Sequence, residues 1–458
     1  MNDINQIGEL REKQLMFFRS GATRDVNFRK NALRKLRDSI RLHEKDIYIA
    51  LNKDLNKSSF EAYATETGIV LHEIRSMIRN LSRWAWGKAV TTPLFAFPSL
   101  SRVMPEPFGR VLIISPWNYP FQLPMVPLVG AIAAGNVAIV RQSTSSPATN
   151  ELIKKIVAEC FPEEHAAVID CDRDCAEVVV NMKWDMIFFT GSTEVGRKIY
   201  SAAARNLTPV ILELGGKSPA IVDEDAVIPV AAKRIIWGKT LNAGQTCISP
   251  DYVFVHRNVK EELIKYMKLE ITRMFGKDPL SNTESTRIIS ESAFKRLVSY
   301  INSDKIITGG RSDIGKLAIE PTILDASFSD NCMQDEIFGP VLPLITYSSL
   351  DEVIAYLNSQ EKPLSLYLFS TSRKKQKKIM MNTSSGAFLI NDVILHIANK
   401  HLPFGGVGAS GLGRYHGKES LRAFSNLKAT MHTMARIDIP IKYPPYGNKE
   451  KIMKLFLR

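Results

Sequence analysis

Val111-Leu112-Ile113-Ile114, followed at once by Ser115-Pro116-Trp117-Asn118-Tyr119-Pro120, decides the fold. Four apolar residues in a row, without polar alternation, predict a strand covered on both faces, as in a parallel sheet between helices. The same kind of run recurs at 137–140, 178–180, 186–189, 210–212 and 220–222, with helical or loop segments between. It resumes at 252–255, 341–345, 364–369 and 388–390. This alternation predicts an α/β chain with two doubly wound domains.

Upstream, Leu33, Leu36, Ile40 and Ile47 recur at helical spacing and predict one helix over 26–51. Leu71, Ile74, Ile78 and Leu81 mark a second. Between 91 and 107 the pattern breaks into Pro-rich, strand-like pieces such as Pro93-Leu94-Phe95-Ala96-Phe97, a long loop or an arm leaving the domain. The apolar stretch 123–140 raises the question of a membrane span. Pro124, Pro127, Gly130, Gly135 and Asn136 interrupt it, so a buried helix followed by a buried strand fits better.

The 458 residues leave room for about three domains and a large core. Five scattered cysteines (Cys160, Cys171, Cys175, Cys247 and Cys332) are too few for a disulfide framework and suggest free thiols in a reducing compartment. No histidine cluster joins Cys171 and Cys175, so no metal site is expected. The start MNDINQIGELREK lacks a signal pattern and the ending KIMKLFLR is too short to cross a bilayer; a cytoplasmic protein is expected. The net charge of +13 collects in 24–45, in 373–378 and at Lys449, Lys451, Lys454 and Arg458. Without interleaved aromatic residues or a nucleic-acid module, these runs read as solvated faces, and no nucleic-acid partner is expected.

Several stretches suit chemistry. In Asn242-Ala243-Gly244-Gln245-Thr246-Cys247 a cysteine follows small and polar residues, which is how a reactive thiol is presented. Asn118 lies just beyond a strand end, where doubly wound folds place functional groups, and its amide could serve an oxyanion or only a Pro-flanked turn. Thr190-Gly191-Ser192-Thr193-Glu194-Val195-Gly196 is a strand-to-helix entry suited to a phosphate, although Ser192 could simply be an N-cap. Glu213 closes an apolar strand ahead of Gly215 and Gly216, either as a general base or as a salt-bridge partner of Lys217. Glu336 and Phe338 precede a Gly-Pro turn, and could hold a ribose and back a nicotinamide or merely enter a strand. The glycine-rich stretch 402–414 lacks the ending of a P-loop, and close backbone packing accounts for it as well.

Together, PWNYP (116–120), FFTGSTEVG (188–196), LELGGKSP (212–219), GQTC (244–247), EIFGPVLP (336–343) and LPFGGVGASG (402–411) resemble the aldehyde dehydrogenase superfamily, in its order and spacing. The PWNYP wording and the ending through 402–425 resemble the class 3 (fatty and aromatic aldehyde) branch. The resemblance implies that Cys247 attacks an aldehyde, that Asn118 and the Cys247 N–H form an oxyanion hole, and that Glu213 activates the hydrolytic water. It implies NAD or NADP as cofactor, with Gly191 and Ser192 facing the pyrophosphate, Glu336 holding the nicotinamide ribose, and Trp117, Gly196 and Phe338 among the contacts. After 140 the family commonly has Lys-Pro-Ser-Glu, whereas this chain has Arg141-Gln142-Ser143-Thr144. Losing the acid at Thr144, with a planar cation at Arg141, predicts ready acceptance of NADP.

The implied layout is a cofactor-binding domain from 1–90 and 107–213, a catalytic domain over 214–390, and a bridging arm from 91–106 and 425–446. The segment 391–424 would return past the active site. The arm implies a homo-oligomer, a dimer by the class 3 likeness. Medium-chain aliphatic or aromatic aldehydes are the expected substrates. The competing readings are a dehydrogenase that passes its thioester to coenzyme A, against which Glu213 argues, and an inactive scaffold of the same fold.

Overall fold

Glu213 and Pro219 stand at the point where the chain leaves one parallel sheet and begins another. In the first, six strands lie in the order Gly411–Leu412, Val210–Leu214, Met186–Gly191, Arg110–Ile114, Val137–Arg141, Ala166–Ile169. All run parallel except Gly411–Leu412, which sets Gly411 opposite Glu213. The second has seven strands in the order Ile306–Thr308, Thr322–Asp325, Val341–Tyr347, Tyr252–His256, Pro219–Val222, Ser365–Phe369, Ala387–Ile390. Only Ile306–Thr308 is antiparallel there. The α/β architecture is the one the apolar runs predict. This computed structural model describes residues 4–301 and 303–456; residues 1–3, 302, 457 and 458, the basic Arg458 among them, lie outside it.

Continuous apolarity does what it should: all five residues of Arg110–Ile114 and all four of Pro219–Val222 are buried. The helix Gln122–Ala134 is buried at every position and ends where Gly135 turns left-handed at φ 93°. It packs beneath the six-stranded sheet with Val26–Leu42 and Gly68–Ala85. A third sheet stands apart: Lys88–Val90, Ser99–Pro107 and Ser425–Thr433 pair antiparallel.

Four expectations are corrected. The valines at 178–180 are not a strand but close the helix Arg173–Asn181, which starts where the Asp172 carboxylate accepts from the Cys175 N–H at 2.9 Å. The strand beside Val137–Arg141 is Ala166–Ile169. The single helix over 26–51 is two, Val26–Leu42 and Glu44–Leu55, divided at His43, whose imidazole meets Asp46 at 2.9 Å and Glu159 at 3.0 Å. The strand-like piece 93–97 holds a 3₁₀ turn, Leu94–Ala96, and the arm's long strand follows it. Cys171 and Cys175 are not free: the helix start brings their Cα atoms to 5.4 Å and they are joined as a disulfide. Cys160, Cys247 and Cys332 are free thiols. Among the described residues, no helix is long and apolar enough to cross a membrane, and no group of three His, Cys, Asp or Glu could hold a metal ion.

Candidate active site

A cleft of about 1140 Å³ opens between the two parallel sheets and gathers Trp117, Asn118, Gly191, Ser192, Glu213, Cys247, Glu336 and Phe338 along its walls. Residues scattered over more than two hundred positions of sequence thus face one volume.

Cys247 follows a tight turn, Leu241–Gly244, in which Asn242 and Ala243 take left-handed φ values of 54° and 52°. Such a backbone is unfavourable for non-glycine residues and persists only when its surroundings hold it. Here they do. The Asn242 N–H donates to Glu61 at 2.9 Å, and its side-chain amide donates to the carbonyls of Asn118 (2.8 Å) and Gln245 (3.0 Å). The Gln245 amide donates to the carbonyls of Asn242 and Arg287 and accepts from the Ile289 N–H, all within 3.1 Å. Gly244 has no room for a side chain, since a Cβ would stand 2.3 Å from the Gly339 carbonyl.

Asn118 is buried four residues past its strand, and its amide donates to the Gln245 carbonyl at 3.0 Å. Tyr119 and Thr246 join their hydroxyls at 2.6 Å. The Asn118 turn and the Cys247 turn are therefore stitched together. Cys247 opens partly onto the cleft, yet the protein around it excludes enough water to push the thiol pKa well up. The carboxyls of Glu336 and Glu213 add to that shift, and the N–H groups of Cys247 and Ile248 oppose it. Those N–H groups face the sulfur, where a neighbouring oxyanion would also meet them.

Glu213 is only 3% exposed, and neither of its carboxylate oxygens has a hydrogen-bond partner in the protein. Burial raises its pKa well above the usual carboxyl range, with the charge of Arg414 as a partial offset. Lys217 does not pair with it: that ammonium meets Asp251 at 2.6 Å and the carbonyls of Cys332 and Asp335. Thr190, opposite Glu213 in register, has a buried hydroxyl that is likewise unpartnered.

The Glu336 carboxyl is pushed up to about 8, first by burial and then by the charge of Asp251, against the Gly216 N–H, Lys217 and Lys239. It packs so closely on Gly215 that a Cβ there would lie 2.0 Å from its oxygen. Phe338, left-handed at φ 52°, meets the Trp117 ring edge-on at 5.6 Å. Gly191 and Ser192 end their strand at the cleft, and the Ser192 hydroxyl accepts from the Val195 N–H as an N-cap.

Three expected contacts lie off these walls. Gly196 is buried in the helix behind them, where a Cβ would strike Leu214 at 2.5 Å. Arg141 donates to the carbonyls of Cys171 (3.2 Å) and Asp172 (3.4 Å), and Thr144 is exposed beside it. The glycine-rich stretch packs backbone on backbone: at Gly411 a Cβ would lie 2.3 Å from the Leu212 carbonyl. Sequence reading missed Glu61, Gln245 and Thr190. Gln245 and Thr190 lay inside quoted motifs as polar neighbours, and nothing local marks Glu61.

Over residues 12–430 the chain matches the family described as "Aldehyde dehydrogenase family". It is 46% identical over 445 residues to a 4,4'-diaponeurosporen-aldehyde dehydrogenase of Staphylococcus aureus (strain NCTC 8325 / PS 47), covering 96% of this chain and 97% of that one. It is 40% identical to the aldehyde dehydrogenase family 3 member B1 of Mus musculus, over 97% of this chain and 95% of that one. Among solved structures, a substrate-bound Staphylococcus aureus AldH superposes with a TM-score of 0.97 at 44% identity, each chain covered to 100%.

Proposed function

The chain belongs to the aldehyde dehydrogenase family, of the class 3 kind, and from that premise we propose how its cleft works. The activity is oxidation of an aldehyde to the carboxylic acid with NAD or NADP. Cys247 is the nucleophile: its thiol releases its proton to water in the cleft as the sulfur adds to the carbonyl carbon, giving the thiohemiacetal as its oxyanion. The Asn118 amide and the Cys247 N–H stabilise the oxyanion that forms. A bound oxidised nicotinamide would supply the hydride acceptor that the Cys247 thiohemiacetal needs in order to become a thioester. Glu213 then takes a proton from water as that water attacks the thioester, releasing the acid and restoring the thiol.

The observation that carries this reading is Glu213 itself, a buried carboxyl without a partner on the wall of the cleft that holds Cys247. A base that removes protons from water is needed for hydrolysis and idle in transfer to coenzyme A, so the acylating alternative and the inactive scaffold are both disfavoured. The residues fit a nicotinamide dinucleotide: Glu336, the Trp117–Phe338 pair and the unpartnered Thr190 hydroxyl line the cleft, and Gly191 and Ser192 sit at a helix entry. Thr144 is exposed and uncharged, so no carboxylate at that position opposes a 2′-phosphate, which supports acceptance of NADP beside NAD, whereas Arg141 is engaged by the carbonyls of Cys171 and Asp172.

Ile69, Leu123, Trp237 and Ile394 are among the apolar residues that line the cleft, which supports medium-chain aliphatic or aromatic aldehydes. We assign 1–90 and 107–213 to the cofactor, 214–390 to catalysis, and 391–424 to the return past the site. The separate antiparallel sheet, with Lys88–Val90 exposed at its edge, supports a homodimer through that arm. The free thiols of Cys160, Cys247 and Cys332 support a reducing, cytoplasmic setting, and the Cys171–Cys175 disulfide counts against it.

The test follows absorbance of the reduced nicotinamide with hexanal and benzaldehyde, with NAD and NADP in separate wells and without coenzyme A. Turnover that vanishes in Cys247→Ala is the expected result. A signal that needs coenzyme A would remove Glu213 from its role.

A further inference from the structure

Lys57 and Glu66 form an ion pair at 2.5 Å with both side chains at 0% exposure. Burying two charges loses their hydration, and their attraction often does no more than offset that loss, so such a pair is weak evidence of a stabilising device. What else the pair touches is informative. The Lys57 ammonium also donates to the Asn118 carbonyl at 3.2 Å and stands over the Tyr119 ring, 4.1 Å from its centroid. The second carboxylate oxygen of Glu66 accepts from the N–H groups of Phe121 and Gln122, both at 2.9 Å. The ion pair therefore holds the later half of the turn between the strand Arg110–Ile114 and the helix Gln122–Ala134, from Asn118 to Gln122.

That turn carries Asn118. Its carbonyl is shared by Lys57 from one side and by the Asn242 amide, from the Cys247 turn, on the other. Glu66 lies in a single π-helical turn, Tyr63–Thr67. A π turn carries one residue more than the α-helix would, and it commonly marks a functional place in a helix. Just before it, Glu61 accepts from the Asn242 N–H. The segment from Lys57 to Glu66 thus grips the oxyanion turn and the nucleophile turn together.

We propose that Lys57, fixed by Glu66, is a positioning residue that holds the Asn118 amide in register with Cys247. It acts through Asn118 and does not touch the substrate. The inference rests on Asn118 being the oxyanion donor, and the experiment separates the two claims.

It is a double-mutant cycle on kcat and cofactor KM, with the rate of Cys247 alkylation by iodoacetamide as a check on the nucleophile. Asn118→Ala alone is expected to lower kcat by ~10²-fold or more, as loss of an oxyanion donor does. Lys57→Met is expected to lower kcat by ~10-fold or more, because small misplacements of a reacting group are expensive. Cofactor KM and the alkylation rate should stay within about twofold, since Lys57 touches neither site. Added to Asn118→Ala, Lys57→Met should cost less than ~3-fold, the non-additivity of groups that act as one unit. A purely structural role would lower both backgrounds equally, and that result would overturn the inference. Should Lys57→Met fail to fold with Glu66 left unpaired, Lys57→Met/Glu66→Gln keeps two neutral side chains of similar shape. It should show the same loss of kcat, and full activity there would also overturn the inference. If Asn118→Ala proves as active as the native enzyme, the oxyanion assignment falls and this inference with it.

Discussion

Asn118 and Glu213 are equally buried, each 3% exposed, and both belong to the end of the same six-stranded sheet. Their surroundings are opposite. Asn118 is engaged at its amide nitrogen by Gln245 and at its backbone carbonyl by Lys57 and Asn242. Glu213 has no partner at either oxygen. A group that must point at a developing charge needs a fixed direction, and hydrogen bonds supply it. A group that must take and return a proton needs a displaced pKa and access to water, and hydrogen bonds to its charged form would pull that pKa back down.

The deepest cut removes the atom both walls serve. Cys247→Ala is expected to lower aldehyde oxidation by at least ~10⁴-fold, because without a nucleophile neither wall has an intermediate to act on. Activity surviving that change under steady-state assay would dissolve the comparison altogether. Next, Glu213→Gln should lower kcat by ~10³-fold and leave a single-turnover burst of reduced nicotinamide, the thioester persisting on the enzyme. Asn118→Ala, lower by ~10²-fold or more, should show no such burst, since the earlier addition step is the one impaired. The two variants showing the same kinetics would mean that the contrast in their surroundings has no mechanistic content. The native hydrolytic step should also rise with pH, since only ionised Glu213 removes a proton and burial holds its pKa high. That rising limb should be missing in Glu213→Gln.

How much of this was readable depends on whether a residue's neighbours in space are also neighbours in sequence. The run 111–114 could be read because complete burial of a strand leaves an unbroken apolar string. The valines at 178–180 gave the same string at the end of a helix, and only the Asp172 cap, a longer-range pattern, distinguishes the two. Cys247, Glu213 and Asn118 stood out because each is an odd residue in its own local setting. Lys57 does not: it meets Asn118 across 61 positions and is one among 60 lysines and arginines. The left-handed φ at Asn242 and Ala243 was equally invisible, since neither is glycine and the hydrogen bonds that impose it come from Glu61 and Asn118.

Glu336 offers an intermediate case, a carboxyl with one backbone donor and two lysines nearby, at about 8. Its pKa in the folded chain exceeds the unfolded value near 4.5. The folded state therefore keeps a proton that the unfolded state has lost, and stability present below the unfolded pKa declines as pH rises through that window until about 8. Glu336→Gln cannot titrate. Between pH 5 and 8 the native Tm should fall further than the variant's, by ~1–3 °C, as followed by differential scanning fluorimetry. Parallel Tm curves would show that Glu336 ionises in the cleft as freely as in water.

The smallest effect belongs outside the cleft, where water is present. Thr144 is exposed, and Arg141 beside it is already committed to the carbonyls of Cys171 and Asp172. Thr144→Glu would place a carboxylate near an added 2′-phosphate, but solvent screening limits their repulsion to about 1 kcal/mol. The expected result is a fall of ~5–10-fold in kcat/KM for NADP, with that for NAD held within about twofold. The ratio of the two, measured with one aldehyde at saturation, reads the effect directly. An unchanged ratio would mean that the 2′ position lies beyond the reach of residue 144, and cofactor choice would pass to Arg141. A fall as large as that of Glu213→Gln would mean that Thr144 is dry when cofactor is bound, and the contrast between screened and buried charge would have to be redrawn there.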